Sequence, residues 1–382
     1  MTAFEWLLAV FCAAATSLHI GTAALTVYRC RRRERLLQPP QEAPSVSILR
    51  PVCGVDTYDE ATLASGFALD YPNFELIFCC ADADDPAVAL VRRLQAANPG
   101  VRARLLIGNH AISANPKLNN LVKGWHVARG DWVIFADSNV LMPPDYVQRL
   151  LAGWRAGAGI LCSPPIGCRP HGFAAVLECA FLNTYQARWQ YAADSIGLGF
   201  AQGKTMLMRR RDLTAAGGIH ALASEIAEDA AATKVVRGMG LEATLVDAPF
   251  GQPLGRRTLK QVWDRQTRWA RLRRITFPLY FAAEVLTGSL LPLLCLAYVA
   301  DAALELPAEM TAAAVGGLAV LWLGSEAVLA RAAGWHLSWQ SPVAWVLRDA
   351  MLPMVWLHAW LTEGYAWRGN EISTADGSVR AH

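Results

Sequence analysis

Basic residues are missing ahead of the first apolar run, where the chain opens Met1-Thr2-Ala3-Phe4-Glu5. A secretory leader carries positive charge before its apolar core, so cleavage is not expected and residues 4–27 read as a retained anchor. The nine cysteines lack paired metal-ligand spacing, which excludes a structural zinc module. Several of them, including the neighbours Cys79 and Cys80, fall in apolar runs expected to bury reduced thiols. No internal repeat is present, which excludes a solenoid. Strong net charge is also lacking: at +3 overall with 18% charged residues, the balance gives no footprint for nucleic acid, and no nucleic-acid partner is expected.

Long apolar runs stand at both ends. Residues 4–27 reach bilayer-spanning length and are followed by a basic stop, Arg29, Arg31, Arg32, Arg33 and Arg35. Positive charge stays on the cytoplasmic side, so the amino end is expected to face outward. The region before the next span is then cytoplasmic, where structural disulfides are not expected. Three more apolar stretches follow at 277–300, 309–330 and 342–361. The last contains Arg348 and Asp349, and charge at the bilayer centre is costly, so a re-entrant or interfacial position stands beside a full crossing. Residues 369–382 are polar and read as a disordered tail.

Between a Pro-rich linker, Gln38-Pro39-Pro40-Gln41-Glu42-Ala43-Pro44, and a basic helix ending near Arg274, short apolar runs alternate with helix-length segments. Such alternation predicts an α/β sheet. Strands are predicted at Val46 to Val52, Glu75 to Ala81, Ala103 to Ile107 and Trp132 to Ala136, with helices near 57–69, 87–97, 116–128 and 144–157. The resulting organisation is an anchor with its basic stop at 1–37, an α/β domain at 38–258, an interfacial basic helix at 259–276, a membrane region at 277–368 and the tail at 369–382.

Asp82 and Asp137 fall at the carboxyl ends of predicted parallel strands, where open α/β sheets place ligands. Loops after strands are polar in any case, so either aspartate alone is also a plain turn residue. In Asp82-Ala83-Asp84-Asp85-Pro86, the later acids read as helix caps before a proline at the first helical position. Asp82, one step earlier, is placed to accept hydrogen bonds from a nucleotide base or ribose. Asp137-Ser138-Asn139 offers a hard oxygen ligand for a magnesium or manganese ion bridging to a diphosphate, although Asn139 adds only a neutral oxygen. The alternative is a turn cap before Pro143 and Pro144. Glu228-Asp229 opens a helical stretch, where acids favour the amino end. As chemistry, Asp229 is the candidate base that takes the proton of an attacking hydroxyl.

Asn115-Pro116-Lys117-Leu118-Asn119-Asn120 puts a lysine and amides at a helix start; such amides often only cap, while Lys117 alternatively pairs with a phosphate. Gly203-Lys204-Thr205 stays open between close ligand approach and an ordinary turn. Arg265, Arg268, Arg271, Arg273 and Arg274 are spaced along a helix whose Trp263, Trp269 and Leu272 can face apolar material. An interfacial helix that binds anionic headgroups accounts for Arg271 to Arg274. Arg268 beside Trp269 is a different candidate, since a guanidinium clamps diphosphate oxygens in two-pronged fashion.

Taken in order, Leu49-Arg50-Pro51 with Gly54-Val55-Asp56, Leu69-Asp70-Tyr71-Pro72, Asp82-Ala83-Asp84-Asp85-Pro86, Asn115-Pro116-Lys117-Leu118-Asn119-Asn120-Leu121, Asp137-Ser138, Ala227-Glu228-Asp229 and Arg265-Gln266-Thr267-Arg268-Trp269 resemble the ceramide glucosyltransferases, glycosyltransferase family 21 of the inverting GT-A group. The likeness runs nearly end to end. It implies an α/β, GT-A-like domain on the cytoplasmic face, held by amino- and carboxyl-terminal transmembrane helices. That domain would move a hexose, glucose, from a UDP-sugar to the hydroxyl of a ceramide-like lipid acceptor. By the same likeness Asp82 contacts the nucleotide and Asp137 supports the metal and diphosphate, while Lys117 and Arg265 are counted beside them as candidates for donor binding. Asp229 is the general base, and Arg268 with Trp269 completes the (Q/R)xxRW element that Arg265 begins. A divalent cation, magnesium or manganese, is the implied cofactor, and Asn139 stands where many sugar-nucleotide enzymes have a second aspartate.

Three alternatives remain open at this point. One is transfer of another sugar, such as N-acetylglucosamine or galactose, to a hopanoid or diacylglycerol. A second is a processive polysaccharide synthase, for which about four hydrophobic segments make a meagre channel. A third is a non-catalytic membrane adaptor, against which the retained aspartates and Arg268-Trp269 argue. Compactness points to a bacterial inner membrane.

Overall fold

The computed structural model describes residues 1–31, 36–362 and 364, and the backbone of 365–367, 370–372 and 379–381. Arg32, Arg33 and Arg35 of the expected basic stop lie outside the described residues. The chain divides into two compact units. Met1–Arg32, Pro170–Ala192 and Arg256–Glu363 form one; Arg33–Arg169, Ala193–Gly255 and Gly364–His382 form the other. The sequence division kept 38–258 together, whereas 170–192 belongs with the apolar unit. Val176, Leu177, Ala180, Phe181 and Tyr185 supply the reason, since all are buried in a cluster with Val262, Trp345 and Leu352 of that unit.

Apart from its carboxyl-terminal segment, the second unit is built on nine strands: β1 (Val46–Val52), β2 (Phe74–Cys80), β3 (Ala103–Ile107), β4 (Trp132–Ala136), β5 (Ala158–Cys162), β6 (Ile166–His171), β7 (Thr205–Arg209), β8 (Glu242–Leu245) and β9 (Gly251–Arg256). Seven form one sheet in the order β3-β2-β1-β4-β7-β5-β8, and β6 pairs with β9 in a separate ribbon. β1 to β4 are mutually parallel, with Val46 opposite both Phe74 and Trp132. β7 runs antiparallel to β4 and to β5. Ile48, Leu49, Leu76 to Cys80 and Val133 to Ala136 are fully buried. A parallel sheet covered on both faces requires such near-continuous apolar runs, and each large side chain so buried contributes roughly 1.5–3 kcal/mol.

The four predicted strands match β1 to β4 within a residue. Two helices start where proline follows a capping residue. Asp85 accepts from the Ala87 N–H at 2.8 Å ahead of Pro86–Ala97, and Asn115 accepts from Lys117 and Leu118 at 2.9 and 3.2 Å ahead of Pro116–Val127. The helix predicted near 57–69 is shorter, Asp59–Ser65, and tightens to a 3-10 turn at Gly66–Ala68. The chain runs outward from β1 through β2 to β3, then returns to the other side of β1 as β4. That reversal opens a crevice over the carboxyl ends of β1 and β4, the usual ligand position in such sheets. Asp137 follows β4 there, and the antiparallel β7 delivers Gly203 and Lys204 to the same place because Thr205 pairs with Ala136.

In the first unit, the described residues hold two helices long and apolar enough to cross a membrane, Ala3–Cys30 and Ala308–Ala333. Pro278–Leu286 and Leu290–Ala303, bent by 48°, make a third span if taken as one. The fourth expected stretch is the helix Ser341–Leu361, which is not apolar enough to count. Its Arg348 makes a two-pronged pair with Glu326 at 2.7 and 2.8 Å and reaches Asp349 at 2.8 Å, all three fully buried. Within the tail, Asn370–Ile372 pairs antiparallel with Tyr365–Trp367 and with Val379–Ala381. These strands correct the reading of a wholly disordered tail, and their β-branched and aromatic residues favour extended backbone. Residues 373–378 lie outside those described.

Candidate active site

The site rests on a buried arginine. Arg50, in the middle of β1, donates from Nη1 to the Thr62 carbonyl at 2.8 Å. Its Nη2 donates to the carbonyls of Asp137, Ser138 and Val140 at 3.1, 2.9 and 3.1 Å. One guanidinium thereby fixes the turn after β4. Burial pushes its pKa down to about 10, which leaves it charged at neutral pH. The sequence carried one signal for this residue, a charge inside an otherwise apolar strand.

The turn so held presents Asp137 between two ammonium groups. Oδ1 lies 2.7 Å from Lys117 Nζ and Oδ2 lies 2.7 Å from Lys204 Nζ. Lys117 also reaches Glu228 Oε1 at 2.5 Å and the Gly203 carbonyl at 2.6 Å. Glu228 Oε2 accepts in turn from Asn115 Nδ2 at 2.6 Å. Lys204 donates to Asn139 Oδ1 at 3.3 Å. Burial alone would raise the Asp137 pKa, but the two ammonium groups outweigh it and hold the carboxyl well below the usual range. Burial likewise works against the charged form of Lys117, and Asp137 with Glu228 reverses this, so its pKa is raised.

Asp229 lies beside this cluster at the start of the helix Glu228–Gly238. Its Oδ2 accepts from the Gly203 N–H at 3.0 Å and its Oδ1 from the Ala230 N–H at 2.8 Å. Burial first, then the negative charge of Glu228, raise its pKa to about 6, while Lys117 and the two N–H donors pull it back. A carboxylate poised near neutrality suits a general base. Gly203 packs at the centre. A methyl group added there would stand 2.8 Å from Glu228 Oε1, 3.2 Å from Lys117 Nζ and 3.3 Å from Asp229 Oδ2.

Of the residues read from sequence, the structure brings together Lys117, Asp137 and Asp229. It adds Arg50, Asn115, Gly203, Lys204 and Glu228. Asp82 is exposed in the loop after β2, where its side chain accepts from the Asp84 N–H at 3.0 Å. Asp85 caps its helix as expected and also binds the Gly54 N–H at 2.9 Å.

Arg265, Arg268 and Trp269 belong to the other unit, on the helix Leu259–Thr276, whose start is closed by Thr258 and Gln261 in a capping box. Arg265 is ion-paired with the buried Glu178 and lies 6.0 Å from the Trp269 ring centroid. Arg257 approaches the same Glu178 at 3.5 Å. The expected headgroup-binding arginines are engaged within the protein. Arg273 pairs with Glu284 at 2.6 and 2.8 Å, and Arg271 contacts Thr362 at 2.9 Å and His358 at 2.8 Å.

The residues present do not fit the expected divalent cation. Asp137 brings the carboxylate and Asn139 a neutral oxygen, and the Lys204 ammonium stands against both, at 2.7 and 3.3 Å. Among the described residues, no group of three His, Cys, Asp or Glu is arranged to hold a metal ion.

A sheet that reverses direction at β1 and β4, with an acid pair and lysines over its strand tips, is the GT-A-like architecture of sugar transferases. The solved mannosyltransferase of Pyrobaculum calidifontis, in complex with GDP-Man and Mn2+, shares this fold. Its TM-score is 0.52 at 16% identity, over 90% of this chain and 99% of that one. The sequence matches glycosyl transferase family 21 across residues 9–379, and the chain belongs to that family. Ceramide glucosyltransferase 1 of Caenorhabditis elegans is 27% identical over 271 residues, 70% of this chain. Ceramide glucosyltransferase 3 of the same organism is 25% identical over 370 residues, 94% of this chain. The chain spans 58% of the length of the first relative and 78% of the second.

Proposed function

We propose that this chain is a membrane-bound inverting glycosyltransferase that moves glucose from UDP-glucose to the hydroxyl of ceramide. The observation that carries this reading is Asp229, a carboxyl with its pKa raised to about 6, in contact with the loop that bears Lys204 and next to the Lys117–Asp137–Glu228 cluster. Family membership and the two Caenorhabditis elegans ceramide glucosyltransferases support the choice of donor and acceptor.

In this reading Asp229 takes the proton of the acceptor hydroxyl as its oxygen forms a bond to the anomeric carbon. The bond from that carbon to the diphosphate breaks on the opposite face, and the electron pair leaves with UDP, which inverts the centre. Asp82, exposed at the tip of β2, serves the nucleotide. On the strength of the family pattern, Arg265 binds the donor, and Arg268 with Trp269 is catalytic, the guanidinium stabilising the negative charge that develops on the leaving nucleotide. Arg29, in the last turn of the first span, and Arg31, its cap, support a cytoplasmic position for the α/β domain.

The test is mass spectrometry of lipids after membranes carrying the full chain are incubated with UDP-glucose and ceramide, beside the Asp229→Asn variant. A hexosylceramide formed by the wild type alone supports the reading. A different glycolipid replaces the acceptor, and a polymeric product or no product removes the proposal.

A further inference from the structure

Gln266 stands inside Arg265-Gln266-Thr267-Arg268-Trp269 and has no part in the reaction above. It is 1% exposed, on the helix Leu259–Thr276. Its Oε1 accepts from Gln186 Nε2 at 2.8 Å, while its own Nε2 is buried with no hydrogen-bond partner among the described residues. Gln186 is half-buried and spends its Nε2 on this bond, which leaves its Oε1 as an acceptor. Turning both amides over exchanges the two atoms and keeps the sum, one donor and one acceptor. A buried donor without a partner is rare and calls for a cause.

Both glutamines line a cleft of the apolar unit, walled by Phe181, Phe281, Leu352, Val355 and Trp356. The other polar groups on its wall are engaged, Arg273 with Glu284 and Tyr185 Oη with Thr287 Oγ1 at 2.7 Å. Its free volume is about 10 Å³, which admits one water-sized group such as a carbonyl oxygen and no ring. Leu279 and Leu286, close in sequence to Phe281, and Met354 and Leu357, flanking Val355 and Trp356, are exposed. A molecule that puts one oxygen into the cleft therefore finds apolar side chains for its hydrocarbon on the elements that form the wall. Few polar groups among many apolar ones is the usual make-up of a ligand site.

We propose that this glutamine pair recognises the amide end of the lipid acceptor: Gln266 Nε2 donates to the acyl carbonyl oxygen, and Gln186 Oε1 accepts from the hydroxyl beside the amide. The inference rests on the ceramide reading above and deepens it, because it names what in the chain selects that lipid. With one hydroxyl reserved for the reaction, ceramide still holds a carbonyl and a second hydroxyl. Diacylglycerol then has carbonyls and no donor, and a hopanoid alcohol has no acyl carbonyl. A site built to hydrogen-bond a group rejects the analogue that lacks it. Gln266 and Gln186 are thus specificity-determining residues and move no proton.

Initial rates of the full chain in detergent micelles, with UDP-glucose and hexanoyl ceramide, test this. Gln266→Met keeps the length of the side chain and removes the donor. Its KM for the ceramide is expected to rise about 3- to 10-fold, the worth of a neutral hydrogen bond, with kcat and the Kd for UDP nearly unchanged. For the wild type, a ceramide analogue without the second hydroxyl should show a rise of the same size. Gln186→Met should cost as much on the parent lipid and add nothing on that analogue. Unchanged KM in folded Gln266→Met, the result if a water alone meets its Nε2, overturns the inference while leaving glucosyl transfer in place. A loss confined to kcat overturns it as well. So does an equal KM for the two lipids in the wild type, a comparison that stands even if neither variant folds. Failure of the wild type to form glucosylceramide removes the proposed function, and the inference with it.

Discussion

Gly203 donates its N–H to Oδ2 of Asp229 at 3.0 Å, and the carbonyl of the same residue takes the ammonium of Lys117 at 2.6 Å. One peptide segment without a side chain thus sets the spacing between the proposed base and the buried ion cluster.

Gly203→Ala is expected to break that spacing. The added methyl group would collide with Glu228 Oε1, which is held by Asn115 and Lys117 and has little freedom to give way. A displacement approaching about 1 Å at the base is expected to lower turnover by up to about 100-fold. Single-turnover kinetics should show the loss in kcat, with UDP affinity changed far less.

Asp229→Asn keeps the shape and removes the base. Turnover should fall by roughly 100- to 10,000-fold, the usual worth of a positioned base. UDP binding measured calorimetrically should stay near the wild-type value, and a parallel loss of binding would argue against the assigned role.

The pH profile follows from the raised pKa of Asp229, about 6. A base works ionised, so the rate should be level above that pH and fall tenfold per unit below it. Glu228→Gln removes the negative neighbour that raises this pKa and leaves Lys117 less compensated. Both changes favour the ionised form, so the acid limb should move to lower pH. An unmoved limb would mean that another group sets it.

Arg50→Met should destabilise the α/β unit. Four carbonyls lose this donor, but Thr62, Asp137 and Ser138 each keep another, from Ser65 Oγ, the Val140 N–H and Thr62 Oγ1, so the cost is expected near that of one unsatisfied buried acceptor, about 1–3 kcal/mol. Chemical denaturation checks the size. Arg50→Lys should recover only part of the loss, because a single ammonium cannot span the same four acceptors.

Glu178 offers a test within the other unit. It is buried and ion-paired with Arg265, with Arg257 nearby, so Glu178→Gln leaves two arginines short of a counter-charge. If Glu178 acts by positioning Arg265, E178Q and R265Q should be non-additive in kcat/KM, with a coupling of about 0.5–3 kcal/mol. Additive losses would separate the two residues.

Much of the first half of the α/β unit was legible in sequence. β1 to β4 are apolar runs with clear ends, and the Asp85-Pro86 and Asn115-Pro116 pairs announce their helices through capping chemistry that is local. The later strands were not named in advance. β7 inserts antiparallel between β4 and β5, an order that no local pattern specifies. The same reason hid Lys204. Gly203-Lys204-Thr205 reads as a turn until the pairing of Thr205 with Ala136 sets the lysine against Asp137. Asp229 and Asp137 were found because their positions at a helix start and a strand end are themselves sequence signals. Glu178 gave none that pointed to Arg265, which follows it by 87 residues.

The pairing of Arg348 with Glu326 bears on how the protein is made. Ser341–Leu361 carries an arginine that hydrocarbon rejects, and Ala308–Ala333 carries a glutamate with the same difficulty. Each is relieved chiefly by the other, at 2.7 and 2.8 Å, with Asp349 at 2.8 Å from the arginine and Thr184 donating to the glutamate. The two segments are therefore expected to settle together, each charge becoming tolerable in the interior as the other arrives beside it.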